Sequence, residues 1–139
     1  NRIIFGEDID LWYRMMLEYP CAFEDTRLSY YRVDAENRAC EHVFPLQIHL
    51  PYYIDKYADY RAKNADFRKF FDLMCLYRLY PYMFDKRYKK TAKQLSEKID
   101  FSLQKKSMKL RFVFPELYRL YMKLKGRWDN HQYDIYQEH

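Results

Sequence analysis

The decisive stretch of this sequence is Gly6-Glu7-Asp8-Ile9-Asp10-Leu11-Trp12. Two adjacent carboxylates follow a glycine there, at the point where an extended apolar run, residues 2–5, gives way to a helical pattern. A carboxylate at a strand end is well placed to reach a bound substrate and to take a proton from it. Asp8 is therefore a candidate general base, and the structural alternative is that it only caps the helix.

The residues that follow predict an amphipathic helix over 8–19, which Pro20 ends. Its apolar side chains recur at four-residue spacing, with neighbours beside them: Leu11, Trp12, Met15, Met16 and Tyr19. Asp10 falls in the first turn, where a negative charge is favourable to the helix dipole. Short apolar runs at 21–23 and 28–33, on either side of a polar turn, predict two strands of a hairpin.

From Pro45 onward the pattern is helical. It predicts helices over about 46–63, 65–84, 86–98 and 103–125, the last kinked or split by Pro115 and ended by Gly126. The predicted inward faces of the first two comprise Leu50, Tyr53, Ile54, Tyr57 and Tyr60, and then Phe67, Phe70, Phe71, Met74 and residues 76–79. The predicted fold class is mainly α, with a short strand-helix-hairpin piece over 1–44 and a multi-helix extension over 45–139.

Composition narrows the possible functions. The 139 residues include only 2 glycines and no phosphate-cradling loop, which argues against a nucleotide-binding α/β domain within this stretch. The opening strand-like run, without methionine, leads us to expect a piece of a larger protein. No apolar run approaches the roughly 18 residues of a membrane span, and the start does not resemble a signal peptide. Three cysteines without paired spacing favour reduced thiols and a cytoplasmic location.

The net charge of +5 is unevenly distributed along the chain. Residues 86–128 carry 14 Lys and Arg against 3 Asp and Glu, a balance of +11. Within them, residues 103–127 combine basic and apolar side chains in the pattern of a basic amphipathic helix. Such a helix can lie on an anionic membrane surface at the inner face of the membrane, or it can pack on a neighbouring domain with a solvated basic face. The sequence leaves both open.

Two segments together resemble the second half of a family 2 glycosyltransferase with the GT-A fold. In that family an acid-Asp pair opens a helix of the form Asp-Leu-Trp-x-Arg, as at residues 7–14, and a strand ending in Tyr-Arg follows, as at residues 28–33. The similarity covers roughly residues 3–40. It implies that residues 1–44 are the acceptor side of an incomplete GT-A catalytic domain, a remnant of its strand-helix-hairpin region.

The resemblance implies transfer of a sugar from a nucleotide-sugar donor to a hydroxyl acceptor, with inversion at the anomeric carbon. The acceptor would be a glycan or a lipid-linked glycan in surface polysaccharide biosynthesis. Asp8 stands where the family has its base, with Glu7 beside it. Trp12 could line the acceptor pocket or be a buried anchor, and Arg32 could contact a diphosphate or sugar hydroxyl or form a salt bridge to the first helix.

The family uses a divalent metal, Mg or Mn, bound by an Asp-x-Asp motif that ends an earlier strand. Residues 8–10 spell Asp-x-Asp but begin a helix, so we do not interpret them as that motif, and we expect no metal or donor site in these residues. The loop after Arg32 departs from the family pattern, since Asp34 stands where His is frequent. A non-enzymatic helical module whose basic face contacts a membrane or nucleic acid is the alternative function, with nucleic acid the less favoured partner.

Overall fold

The computed structural model describes residues 7–22, 24–26, 29 and 44–126. Over these residues the chain is mainly helical and has no β-strand, which confirms the mainly α fold class. The α-helices in this part are α1 (Glu7–Glu18), α2 (Ala58–Lys63), α3 (Ala65–Leu79), α4 (Lys89–Glu97), α5 (Lys106–Val113) and α6 (Pro115–Leu124). Short 3₁₀ helices join them at Leu46–Ile48, Leu50–Tyr57, Tyr80–Phe84 and Phe101–Leu103.

The first helix agrees with its predicted bounds, because α1 starts at Glu7 and ends at Glu18, just before Pro20. Its predicted apolar face does not turn to the core: Leu11, Trp12, Met15, Met16 and Tyr19 are all exposed. The predicted hairpin over residues 21–33 is described only in part. Cys21 and Ala22, which the sequence assigns to its first strand, have no regular secondary structure. Most of the remaining hairpin, including residues 30–33, lies outside the described residues, so the GT-A remnant stays a prediction.

The helix predicted over 46–63 is wrong in its first two-thirds, which are 3₁₀ rather than α. Pro51 lies in the first turn of Leu50–Tyr57 and has no N–H to donate, and its ring would clash with the carbonyl four residues earlier in an α-helix. The backbone also kinks at Tyr53, whose φ and ψ are −96° and 25°. Regular α structure begins only at Ala58.

The break between α2 and α3 lies at Asn64, as predicted. Asn64 is extended, and its side-chain oxygen accepts a hydrogen bond of 2.9 Å from the Phe67 N–H, which caps α3. The predicted inward face of α3 is only partly right. Phe71, Leu76 and Leu79 are buried, whereas Phe70 and Tyr77 are exposed because they lie on the opposite side of the helix.

The basic half of the chain follows its predicted boundaries. The α4 helix falls within residues 86–98, and Pro115 separates α5 from α6. Gly126 ends α6 with a φ of +62°, a left-handed conformation that glycine adopts without steric cost. The split at Pro115 and the stop at Gly126 are confirmed.

One apolar core joins α1 to the helices after residue 44. The Tyr13 ring packs edge-on against Phe71 and Tyr57, with ring centroids 5.5 and 5.9 Å apart. The buried apolar residues are Tyr13, Leu46, Leu50, Ile54, Tyr57, Phe71, Cys75, Leu76, Leu79, Tyr80, Tyr82, Met83, Ala92, Leu95, Ile99, Met108 and Phe112. This packing crosses residue 44, where the sequence predicts a division into two parts.

A buried ion pair fixes α2 against α3. The Arg61 guanidinium donates to both carboxylate oxygens of Asp72, at 2.7 and 3.2 Å, and also to the Lys98 carbonyl at 3.0 Å. Asp72 is completely buried, so this carboxylate depends on Arg61 for its charge compensation. The pair also reaches the C-terminal end of α4, which makes it a junction of three elements.

Candidate acceptor site on α1

The α1 helix has two different faces. Asp10 and Tyr13 are buried, and Ile9 and Leu17 pack partly against the core, so this stripe faces the helical body. Asp8 lies on the opposite stripe, since residues two positions apart in an α-helix are separated by about 200°. Glu7 and Asp8 are both exposed.

Asp10 is the polar anchor of α1. The Lys56 ammonium donates to both of its carboxylate oxygens at 2.7 Å, and the Tyr57 hydroxyl donates to Oδ1 at 2.5 Å. Arg14, one turn later, places Nε 3.3 Å from Oδ2. These partners come from α1 itself and from the segment before α2, so the carboxylate ties the two together at a site that is only 6% exposed.

The electrostatics of this cluster follow from its contacts. Burial alone would raise the pKa of the Asp10 carboxyl. Hydrogen bonds from Lys56 and Tyr57, together with the charges of Lys56 and Arg14, outweigh burial and hold the pKa below its ordinary value of 3.8. For Tyr57, burial and the hydrogen bond to the Asp10 carboxylate both raise the pKa. Asp10 is thus an anion and Tyr57 a neutral donor at neutral pH.

This role of Asp10 goes beyond its predicted one as a helix-dipole charge. The carboxylate does lie in the first turn of α1, but its main partners are Lys56 and Tyr57, which are 46 and 47 residues away in sequence. Local pattern carries no information about partners at that separation. The sequence signal for this contact was limited to the presence of a polar residue, Asp10, among apolar neighbours on a helix.

The outward face of α1 brings the candidate base next to aromatic side chains. Asp8 and Trp12 are one helical turn apart, and side chains at that spacing are neighbours on a helix surface. Met15 and Tyr19 continue the same stripe and are exposed. The Asp8 Oδ1 atom accepts a hydrogen bond of 2.7 Å from the Ile9 N–H. A helix N-cap accepts from the N–H two or three residues ahead, and Asp8 is the second residue of α1, so this contact is not that of an N-cap.

The two predicted substrate-binding residues beyond the acidic pair, Trp12 and Arg32, have different outcomes. Trp12 is 58% exposed, so its interpretation as a buried anchor is wrong, because Tyr13 rather than Trp12 lies on the inward stripe. An acceptor-facing Trp12 is compatible with this exposure. Arg32 lies outside the described residues, and its assignment to substrate binding or a salt bridge stays a prediction.

A divalent metal does not fit the carboxylates of this site. Within the described part of the chain, no three side chains of His, Cys, Asp or Glu are grouped so that they could share an ion. Asp8 and Asp10 lie on opposite stripes of α1, and both Asp10 oxygens accept hydrogen bonds from Lys56. Asp8 and Asp10 therefore cannot bind one metal ion together.

The basic amphipathic segment predicted over residues 103–127 is only partly packed against the rest of the protein. Of the apolar side chains of residues 103–126, only those of Met108 and Phe112 are buried, and no residue of α6 is buried. Leu110, Val113, Phe114, Leu117, Leu120, Tyr121 and Leu124 are all exposed. Of the helices in the described ranges, none is long and apolar enough to cross a membrane.

Comparison with known proteins gives no family. No protein-family model, no curated protein and no solved structure matches this chain.

Proposed function

We propose that this chain forms the acceptor side of an inverting glycosyltransferase, in which Asp8 removes the proton from the acceptor hydroxyl. The observation that carries the proposal is the outward stripe of α1, where an exposed carboxylate lies one turn from an exposed tryptophan. A carboxylate oriented to solvent can accept a hydrogen bond from a sugar hydroxyl, and an aromatic ring offers an apolar surface for the sugar's C–H face.

The anchoring of α1 supports this role. A general base must be held within hydrogen-bond reach of the proton that it removes, which requires a rigid support. Asp10 and Tyr13 supply that support from the inward stripe, through an ion pair and an aromatic cluster. Asp8 is therefore carried on a helix whose position is fixed by groups that do not include Asp8.

The proposed reaction is a single displacement. The acceptor oxygen attacks the anomeric carbon of the donor as its proton passes to an Asp8 carboxylate oxygen, and the bond to the nucleoside diphosphate breaks on the opposite face. The configuration is inverted, and no covalent intermediate forms. In this proposal the donor and its metal, Mg or Mn, are bound by the nucleotide-binding half of the GT-A fold, and Glu7, Trp12 and Arg32 contact the acceptor or the departing diphosphate.

The test is a comparison of two matched variants of the full-length protein. A panel of nucleotide-sugars is screened for release of nucleoside diphosphate in the presence of glycan acceptors, and the active donor is then used. Asp8→Asn should lower kcat by about 10²–10⁴-fold, which is the usual contribution of a general base. Asp66→Asn changes an exposed first-turn aspartate of α3 in the same way and should leave kcat unchanged.

The proposal fails if Asp8→Asn transfers sugar at the wild-type rate while its thermal unfolding is unchanged. It also fails if the wild-type protein transfers no sugar from any donor of the panel. Reduced activity accompanied by partial unfolding would assign Asp8 a structural role instead, and Asp8→Glu, which keeps the carboxylate, distinguishes the two by recovering part of the rate.

A further inference from the structure

The α6 helix packs against the rest of the protein through its polar edge. The Arg119 guanidinium lies over the Phe84 ring, 4.8 Å from its centroid, and the Tyr118 ring packs edge-on against Tyr80 at 6.3 Å. Arg111 of α5 lies 4.7 Å from the centroid of the same Tyr118 ring. These contacts involve one side of α6, which leaves the other side to solvent.

The solvent side of α6 is apolar. Leu117, Leu120, Tyr121 and Leu124 recur at spacings of three and four residues, so they form one stripe, and Leu124 is 80% exposed. Its first residue, Leu117, lines one groove together with the exposed Val113 and Phe114 at the end of α5. We call the whole surface the α5–α6 face, and it consists of Leu110, Val113, Phe114, Leu117, Leu120, Tyr121 and Leu124.

This face is not an ordinary amphipathic helix surface. A helix of a globular protein normally turns its leucines toward the core and its charges toward water. Here the leucines are exposed, and the half-exposed Arg119 lies over Phe84 and pairs with Glu116, so no described residue covers the apolar stripe. An exposed apolar patch of this kind marks a site of interaction. Val113, Phe114 and Leu117 also line a groove of about 780 Å³ between α4 and the α5–α6 pair, which extends the apolar surface inward.

The charges around the α5–α6 face identify the occupant's chemistry. Residues 105–125 contain seven Lys and Arg and one acidic residue, Glu116, a balance of 7 − 1 = +6. The exposed lysines stand at both ends of the face, with Lys105, Lys106 and Lys109 at the start of and on α5, and Lys123 and Lys125 near the end of α6. An apolar stripe with ammonium groups at its edges complements a partner that has an apolar layer beneath a layer of negative charges.

We infer that the α5–α6 face docks on an anionic lipid bilayer, with the leucines inserted at the boundary between headgroups and acyl chains and the lysines among the phosphates. A basic helix with one apolar face binds in this way, parallel to the bilayer plane. Nucleic acid fits less well, because base recognition on single strands uses aromatic platforms, and five of the seven residues of this face are aliphatic. The inference does not depend on the role of Asp8.

The test is sedimentation of the full-length protein with lipid vesicles. Two compositions are compared, phosphatidylcholine alone and phosphatidylcholine mixed with phosphatidylglycerol. The wild-type protein should bind the mixed vesicles more tightly, and the difference should shrink at high salt because screening weakens the attraction of lysines to anionic headgroups. Lys123→Gln and Lys125→Gln should each weaken binding to the mixed vesicles by about fivefold.

A matched pair of leucine variants separates docking from general surface effects. Leu124→Glu should weaken vesicle binding by about tenfold or more, since it removes buried apolar area and adds a repelled charge. Leu11→Glu is the same substitution on α1, at a leucine that is 46% exposed, and should leave vesicle binding within about twofold. Neither leucine is buried, so both variants are expected to fold.

Three results would overturn the inference. Equal binding to both vesicle compositions would show that the lysines do not attract anionic headgroups. An equal loss of vesicle binding in Leu124→Glu and Leu11→Glu would show that binding does not occur through the α5–α6 face. The third is a stable dimer in sedimentation velocity that Leu124→Glu dissociates, with no vesicle binding by the wild type. That result would make the α5–α6 face an interface between two copies of this chain.

Discussion

At the scale of single residues, two aspartates separated by one residue lie in opposite environments. Asp8 and Asp10 occupy the same turn of α1, yet the first is exposed and the second is almost completely buried against Lys56 and Tyr57. The same substitution at the two positions therefore separates stability from activity. Asp10 should matter for folding, and Asp8 should matter for transfer.

We expect Asp10→Asn to destabilise the protein by about 1–3 kcal/mol, because it removes charge-assisted hydrogen bonds to Lys56 and Tyr57 at a buried position. Asp8→Asn should change the free energy of unfolding by less than about 0.5 kcal/mol, since its carboxylate is exposed. Urea unfolding of both variants and the wild type measures the difference. Equal stability of the two variants would contradict the anchoring role of Asp10.

The pH dependence of this difference follows from the lowered pKa of Asp10. A carboxyl group whose pKa is lower in the folded protein binds fewer protons there, so its contribution is complete above the unfolded pKa, near 3.8. That contribution is lost as the pH falls through the folded pKa, below 3.8. The gap in unfolding free energy between wild type and Asp10→Asn should be constant near neutral pH and narrow in acid. A gap that widens in acid would contradict the assignment.

At the scale of elements, the structure follows the sequence wherever a local breaker or cap decides the boundary. Pro20, Asn64, Pro115 and Gly126 each end or begin a helix as predicted. The prediction of an α-helix before α2 is wrong, because the apolar spacing around Pro51 suits an α-helix while the proline does not permit one. The inward side of α3 and of α6 could not be read from the sequence, because both helices carry aromatic or aliphatic residues on more than one side.

The junction of α2, α3 and α4 gives an element-scale prediction. Asp72→Ala should destabilise the protein by about 3–5 kcal/mol, because the substitution leaves the Arg61 guanidinium, only 12% exposed, without its counter-charge. Asp55→Ala removes an ion pair with Lys98 between two exposed side chains and should cost less than about 1 kcal/mol. Chemical denaturation of the two variants measures the two losses of unfolding free energy. Similar losses would show that burial of the Arg61–Asp72 pair does not increase its contribution to stability.

At the scale of the whole molecule, the described residues form a helical body with two unusual surfaces. One is the outward stripe of α1, with Asp8, Trp12 and Tyr19, and the other is the α5–α6 face. The α1 stripe belongs to a helix that packs on α3 near its N-terminal half, whereas α6 contacts the 3₁₀ helix after the end of α3. The transfer to a lipid-linked acceptor that we propose would then take place on the membrane that the α5–α6 face is inferred to bind.

The candidate site could be predicted in part from the sequence. The carboxylate pair at residues 7 and 8 is recognisable because it opens a helix with a specific residue pattern, and its exposure in the structure is compatible with a base. The exposure of Trp12 could not be read, since a tryptophan beside apolar residues at helical spacing is usually a core residue. The support from Lys56 and Tyr57 is a tertiary contact, which no local pattern encodes.

The most direct test of the central claim compares a hydroxyl acceptor with azide in the Asp8→Asn variant. Azide can attack the anomeric carbon and release the nucleoside diphosphate, but it carries no proton, so the reaction needs no general base. We predict that Asp8→Asn loses about 10²–10⁴-fold in rate with the hydroxyl acceptor and retains close to the wild-type rate with azide. Equal losses with both acceptors would contradict the assignment of Asp8 as the base.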